Sequence, residues 1–364
     1  MARSSSDRKL PVLPLLLIAA AFLVGVVLMV RRATSQTGGA AEVAAEQRGA
    51  SDLNEDGRIS IDEFGRGFGE MPERAPEPQI IDPADSRLYK IQPGPHETAH
   101  ALLEIATDAE KRPLPIRVTY PRGDGPFPVI VFSHGMLGSR DGYQPLIEHW
   151  ASHGYVCIQP SHGDSRKRIA PSQLNDMRSL MKFWSHRPKD IASVLDQLGE
   201  IERKIDGLAG TMDRDRIGMG GHSFGAHTTM LVGGASYRTW GRKRQTLADP
   251  RPDGLLVLSP QGTSRLFDAQ SFADVTRPAL FVTGTNDRSP TNGEAGRWRL
   301  EAWKHSGGGD RQQLGFIHGA YHNFGGISGV RFRGAGPDWP DHVHYVKAMS
   351  TAFWDAELKA SEPA

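Results

Sequence analysis

Arg216-Ile217-Gly218-Met219-Gly220-Gly221-His222-Ser223-Phe224-Gly225-Ala226 joins a short apolar run to a segment in which Thr229, Met230, Leu231 and Val232 continue as a helix. Gly221 and Gly225 stand two positions either side of Ser223. That spacing suits a sharp strand-to-helix turn, in which the central backbone is strained and flanking Cβ atoms would clash. With 41 glycines in 364 residues, Gly-x-Ser-x-Gly alone is a weak signal, and its strand–turn–helix setting is what gives it weight. In that setting the Ser223 hydroxyl stands at a helix N-terminus, where the dipole favours developing negative charge.

Outward from this turn, strand-like and helix-like segments alternate from about residue 100 onward. Strands are predicted at residues 116–120, 128–133, 155–159, 216–220, 254–259, 279–283 and 312–317. Helices are predicted at 143–153, 189–205, 224–233, 293–305 and 342–358. Such alternation is the habit of an α/β domain, a mainly parallel sheet flanked by helices, here over residues 100–360. The segment 162–187, with Arg166-Lys167-Arg168 and then Met177, Met181, Phe183 and Trp184, leaves the C-terminal end of a strand and reads as a lid or an amphipathic surface helix. Residues 234–252 follow a helix and read as a solvated loop. Cys157, the only cysteine, lies in an apolar run and reads as a buried thiol.

A serine hydroxyl needs a base, and the base an orienting acid. Asp287 follows the apolar run Ala279-Leu280-Phe281-Val282-Thr283, with Asp253 and Asp268 as rivals; His322 follows the next predicted strand, with His318 close by. The order Ser, Asp, His is that of α/β-hydrolases. A tetrahedral intermediate also needs two aligned N–H donors. Phe224 supplies one, and Met136, in Ser133-His134-Gly135-Met136-Leu137-Gly138, is expected to supply the second, with Leu137 next in line. His134 reads as a packing residue of that loop rather than a catalytic or metal-binding one.

The runs "VIVFSHGMLGSRDGYQPLIEHWASHGYVCIQP", "GHSFGA" and "RPALFVTGTND" resemble the dienelactone-hydrolase, platelet-activating-factor-acetylhydrolase and cutinase-like polyesterase branch of the α/β-hydrolases. The resemblance covers residues 100–358 and implies an α/β-hydrolase fold and a serine esterase acting on small-molecule or lipid-like esters through Ser223, His322 and Asp287. No cofactor is needed for that chemistry. The alternative is a non-catalytic calcium-binding surface protein on the same scaffold.

Ahead of this domain, residues 10–30 carry no charge and are long enough to span a bilayer as a helix. Arg31 and Arg32 follow directly and no persuasive Ala-x-Ala cleavage site appears, so a retained single-pass anchor is expected, with residues 1–9 as its basic flank. The positive-inside bias puts the catalytic domain outside the cytoplasm, in a periplasmic or extracellular setting. Residues 31–50 and the proline-rich 71–99 read as linkers. Between them, within residues 51–70, Asp52-Leu53-Asn54-Glu55-Asp56-Gly57-Arg58-Ile59-Ser60-Ile61-Asp62-Glu63 fits an EF-hand loop. Asp52, Asn54, Asp56, the Arg58 carbonyl, Ser60 and Glu63 would surround a structural Ca2+. The net charge of +1 owes much to the arginines and lysine around the apolar span, so no nucleic-acid partner is implied.

Overall fold

The computed structural model describes residues 88–359 apart from 171–172, 174–181, 239–242, 265, 289–295 and 333. The expected anchor at 10–30 and the calcium loop at 52–63 lie outside the described residues. Among the described residues no helix is long and apolar enough to cross a membrane, and no group of three or more His, Cys, Asp or Glu side chains could hold a metal ion.

Ten strands are described: β1 (Thr98–Ile105), β2 (Leu114–Pro121), β3 (Phe127–Ser133), β4 (Val156–Pro160), β5 (Met212–His222), β6 (Ser236–Arg238), β7 (Arg244–Thr246), β8 (Gly254–Leu258), β9 (Ala279–Gly284) and β10 (Gln312–Ile317). Eight of them form one sheet in the order β1-β2-β4-β3-β5-β8-β9-β10. The pairs β1–β2 and β2–β4 are antiparallel, and the rest of the sheet is parallel. The helices are α1 (Gln144–Ser152), α2 (Phe183–Asp196), α3 (Leu198–Arg203), α4 (Phe224–Val232), α5 (Ala269–Phe272), α6 (Gly296–His305) and α7 (Pro340–Leu358).

All seven expected strands are present to within a few residues, because a parallel sheet covered on both faces demands continuous apolar runs. The two-residue period of each run splits it between two cores. Val129 and Val131 of β3 join Ile191 and Val194 of α2 and Met230 of α4 on one face. Ile130 and Phe132 join Leu146 and Trp150 of α1 and Trp354 of α7 on the other. Cys157 is buried on this second face, where burial pushes its thiol pKa up.

Several elements differ from the sequence-based expectation, the short α5 and the break at Gln197 that splits the helix expected over 189–205 into α2 and α3 among them. Strand β1, unpredicted, carries Ala99, Ala101, Leu102, Leu103 and Glu104, good helix formers. Antiparallel pairing with β2 along its whole length overrides that preference. Helix α2 begins at Phe183 rather than 189 and runs through Pro188. The solvated loop expected after α4 contains the β6–β7 hairpin.

Trp150 is, with Trp354, among the largest fully buried side chains of the described residues. Its Nε1 donates to Ser350 Oγ of α7 at 3.0 Å, and its ring meets Trp354 edge-on with centroids 6.2 Å apart. Truncating it leaves a cavity between α1, α7 and β3 that rigid neighbours cannot refill. Trp150→Ala should therefore cost about 3–5 kcal/mol in unfolding free energy, measured by urea denaturation.

Candidate active site

The loops after β3, β5, β8, β9 and β10 leave the same, carboxyl-terminal edge of the parallel sheet, where open α/β sheets hold their ligands. Ser223 follows β5 with φ 56° and ψ −114°, a sparsely populated backbone state that costs a non-glycine residue about 1–3 kcal/mol. Its N–H donates to the Leu258 carbonyl at 2.9 Å, which ties the turn to the end of β8. A Cβ on Gly221 would lie 2.3 Å from the Gly225 oxygen, and one on Gly225 would lie 1.9 Å from the Ser133 oxygen. Both glycines are therefore required by close backbone approach, which holds the turn against the end of β3.

Ser223 is half-buried, and its Oγ lies 2.9 Å from His322 Nε2. His322 Nδ1 lies 2.8 Å from Asp287 Oδ1. Because the carboxylate can only accept, the imidazole proton sits on Nδ1 and the Nε2 lone pair faces the serine hydroxyl. The second carboxylate oxygen of Asp287 accepts from Ser259 Oγ at 2.7 Å and from Thr283 Oγ1 at 2.9 Å.

Arg299, on α6, completes this side of the site. Its Nε stands 2.9 Å from Asp287 Oδ1, and its Nη1 donates to the Ser259 and Pro260 carbonyls at 3.2 and 2.8 Å. Arg299, Asp287 and His322 are all buried. Burial is the largest influence on Asp287 and opposes its charge, but Arg299, His322 and Ser259 together outweigh it and hold the carboxyl well below the usual range. Burial also dominates at His322 and lowers its pKa; Asp287 counters this in part, and Arg299 adds to the lowering. Near neutral pH the imidazole is uncharged, the state a base requires.

A second chain of hydrogen bonds links His322 to the loop after β3. His222 Nε2 donates to the His322 carbonyl at 2.7 Å, so its Nδ1 accepts from Tyr143 Oη at 2.9 Å. Tyr143 Oη in turn accepts from the Gly135 amide at 3.0 Å. Burial, foremost, pushes the His222 pKa down to about 3 and so preserves this neutral arrangement.

The structure thus brings Ser223, Asp287 and His322 together and places the rivals elsewhere. Asp253, just ahead of β8, accepts from the Ile217 amide in the middle of β5, Asp268 caps α5 and pairs with Arg244, and His318 is exposed. The Leu137 N–H is committed to Asp164 Oδ2 at 3.2 Å. The amides of Met136 and Phe224 have no hydrogen-bond partner among the described residues, so they remain available to a ligand. Of the expected lid, Phe183 and Trp184 pack into the core, and Arg168 reaches down to the Pro113 carbonyl and Glu110. The residues sequence reasoning missed are Arg299, Ser259, Thr283, Tyr143 and His222. Of these, Ser259 and Thr283 left a signal there, each a polar residue ending an otherwise apolar predicted strand, 254–259 and 279–283.

A serine on a strained turn between strand and helix, with a carboxylate and an imidazole on later loops of a mainly parallel sheet, is the arrangement of the α/β-hydrolases. Within that class, residues 88–236 match the family model described as Chlorophyllase. Chlorophyllase-1, chloroplastic, of Citrus sinensis is 26% identical over 150 residues, 41% of this chain and 42% of that protein. Chlorophyllase type 0 of Chenopodium album is 26% identical over 120 residues, 33% of this chain and 32% of its own length. Chlorophyllase-1 of Arabidopsis thaliana is 36% identical over 56 residues, 15% of this chain and 17% of that protein. The similarity therefore spans less than half the length of these relatives. The family match takes in Met136, Ser223 and Phe224 and ends before Asp287 and His322. These relatives share the α/β-hydrolase class with the branch resembled by the quoted motifs and carry a different family name within it.

Arg299 lowers the His322 pKa by its charge, so removing that charge should raise it. In ring-labelled protein followed by NMR, His322 should titrate below an ordinary imidazole, and in Arg299→Gln it should titrate at higher pH than in the parent. A titration that stays put or moves down would show that Arg299 does not act on the imidazole electrostatically.

Proposed function

We propose that this chain is a carboxylic ester hydrolase working through an acyl-enzyme, with Ser223 as nucleophile, His322 as base and acid, and Asp287 as the group that holds the imidazole. The observation that carries the proposal is the continuous chain Ser223 Oγ–His322 Nε2 at 2.9 Å and His322 Nδ1–Asp287 Oδ1 at 2.8 Å, set on a strained turn. In the first step Ser223 Oγ attacks the ester carbon while His322 Nε2 takes the hydroxyl proton. The carbonyl oxygen becomes an oxyanion between the Met136 and Phe224 amides. As the intermediate collapses, the alcohol leaves with the proton from His322. Water, deprotonated by the same imidazole, then attacks the acyl-enzyme and releases the acid.

The surroundings of Ser223, together with the relatives, support a substrate class. Met136, Leu137 and Phe332 are half-buried near the site, and the Phe332 ring lies 6.2 Å from that of His322. An apolar ester suits this lining. The relatives named chlorophyllase support a chlorophyll-like ester as the particular case.

Two further parts of the proposal rest on sequence alone. Residues 10–30 would anchor the enzyme as a single pass with its catalytic domain outside the cytoplasm. Asp52, Asn54, Asp56, Arg58, Ser60 and Glu63 would hold a structural Ca2+ through which no step of the chemistry runs.

The test is hydrolysis of 4-nitrophenyl butyrate and of chlorophyll a in detergent micelles, with a fluorophosphonate label located by mass spectrometry. Ser223→Ala should lower kcat by at least about a thousandfold and abolish labelling. Wild-type protein with no Ser223-dependent turnover and no adduct would sink the esterase reading. Turnover of the aryl ester alone would remove only the chlorophyll-like substrate.

A further inference from the structure

Arg187 takes no part in the chain from Ser223 to Asp287, yet it is fully buried in α2 beneath the loop after β3. All of its N–H groups have acceptors. Nε and Nη2 grip the Asp164 carboxylate at 2.9 and 2.7 Å, and Nη2 also donates to the Gly135 carbonyl at 3.1 Å. Nη1 donates to the His134 carbonyl at 2.5 Å and approaches Ser133 Oγ at 3.4 Å. The guanidinium also lies 4.3 Å from the centre of the Phe224 ring.

These contacts converge on the two amides left without partners. A trans peptide unit points its C=O and N–H in opposite directions, and the cis bond found among the described residues is Gly125–Pro126. The Gly135 carbonyl is drawn to Arg187, to the Gly138 amide and to His134 Nδ1. The Met136 N–H of the same peptide unit is therefore turned the other way, away from Arg187. On its far side Leu137 is held through its own N–H by Asp164, the carboxylate that Arg187 grips. The other free amide belongs to Phe224, whose ring rests on the guanidinium.

Neighbouring groups hold Arg187 in turn. His134 Nε2 accepts from the His162 amide at 3.1 Å, which leaves the ring proton on Nδ1, where it donates to Gly135. Ser133, His162 and Asp190 repeat the hydroxyl–imidazole–carboxylate order at 3.0 and 2.8 Å. All three are buried away from any substrate, so this second set is scaffolding for the loop.

We propose that Arg187 is a positioning residue that pre-sets the oxyanion hole, turning the Met136 amide through the Gly135 carbonyl and seating Phe224 by its ring. The inference rests on the serine-esterase reading. It needs the planar, multiply donating guanidinium, because one ammonium cannot grip a carboxylate and two carbonyls in the same plane.

The experiment compares Arg187→Lys, which keeps the charge beside Asp164, with the double variant Arg187→Met/Asp164→Leu, which removes both buried charges together. Each is assayed on 4-nitrophenyl butyrate and for inhibition by an aryl trifluoromethyl ketone, whose hemiketal oxygen occupies the oxyanion position. Loss of one oxyanion donor typically costs about a hundredfold or more in kcat, so both variants should lose about that much, with KM changed by less than about threefold and ketone affinity falling in step. The acid limb of the pH profile, set by His322, should not move. Folded variants with kcat and ketone affinity within about threefold of wild type would overturn the proposal, as would a loss carried by KM alone. Failure of Arg187→Lys to fold would overturn it too, by making Arg187 a requirement of the core. If the wild type shows no Ser223-dependent turnover, the esterase reading fails first and this inference with it.

Discussion

At Gly225 the first turn of α4 passes so close to the end of β3 that a methyl group would sit 1.9 Å from the Ser133 oxygen. That approach sets the spacing between the Ser223 turn and the loop carrying Met136. It demands glycine at 225, the folding of the turn onto the Gly225 carbonyl demands glycine at 221, and together they explain how a residue with φ 56° is held in place. The turn is pinned from one side by β3 and from the other by the Ser223 amide on the Leu258 carbonyl of β8. A strained conformation persists where its surroundings over-determine it, and here two neighbouring strands do so.

Around this pinned turn the protein places two buried arginine–aspartate pairs. Arg299 and Asp287 stand beside the imidazole, and Arg187 and Asp164 stand beneath the loop after β3. Buried ion pairs contribute little net stability, since desolvation consumes most of their attraction. Their value here is directional. Each guanidinium collects backbone carbonyls that a solvent-exposed loop would leave unaligned: those of Ser259 and Pro260 on one side, His134 and Gly135 on the other. The neutral relay from Gly135 through Tyr143 and His222 to the His322 carbonyl joins the two sides. A cluster of this kind works as a unit, because leaving any one polar member unpaired in a dry environment exposes its full desolvation cost.

The central strands were readable because a sheet buried on both faces requires uninterrupted apolar runs, as in residues 128–133 and 279–283. Strand β1 was not, because its alanines and leucines favour a helix and only pairing with β2 made them a strand. At the start of α2, Pro188 suggests a boundary in the sequence, while the packing of Phe183 and Trp184 in the core extends the helix past it. The same shift changed the meaning of Arg187, which looked like the end of a surface segment and is a fully buried residue.

By itself the sequence determined the order of strand and helix, the glycine-flanked turn at Ser223, and the presence of an acid and a base beyond later strands. These are local matters of period, turn chemistry and chain order, and each is written in consecutive residues. Only the tertiary structure decided that Asp287 rather than Asp253 or Asp268 meets His322, that Leu137 spends its amide on Asp164, and that Arg187 and Arg299 lie buried against the loops. Those outcomes depend on which loops the sheet order brings to one edge, and residues separated by tens of positions carry no local trace of that meeting.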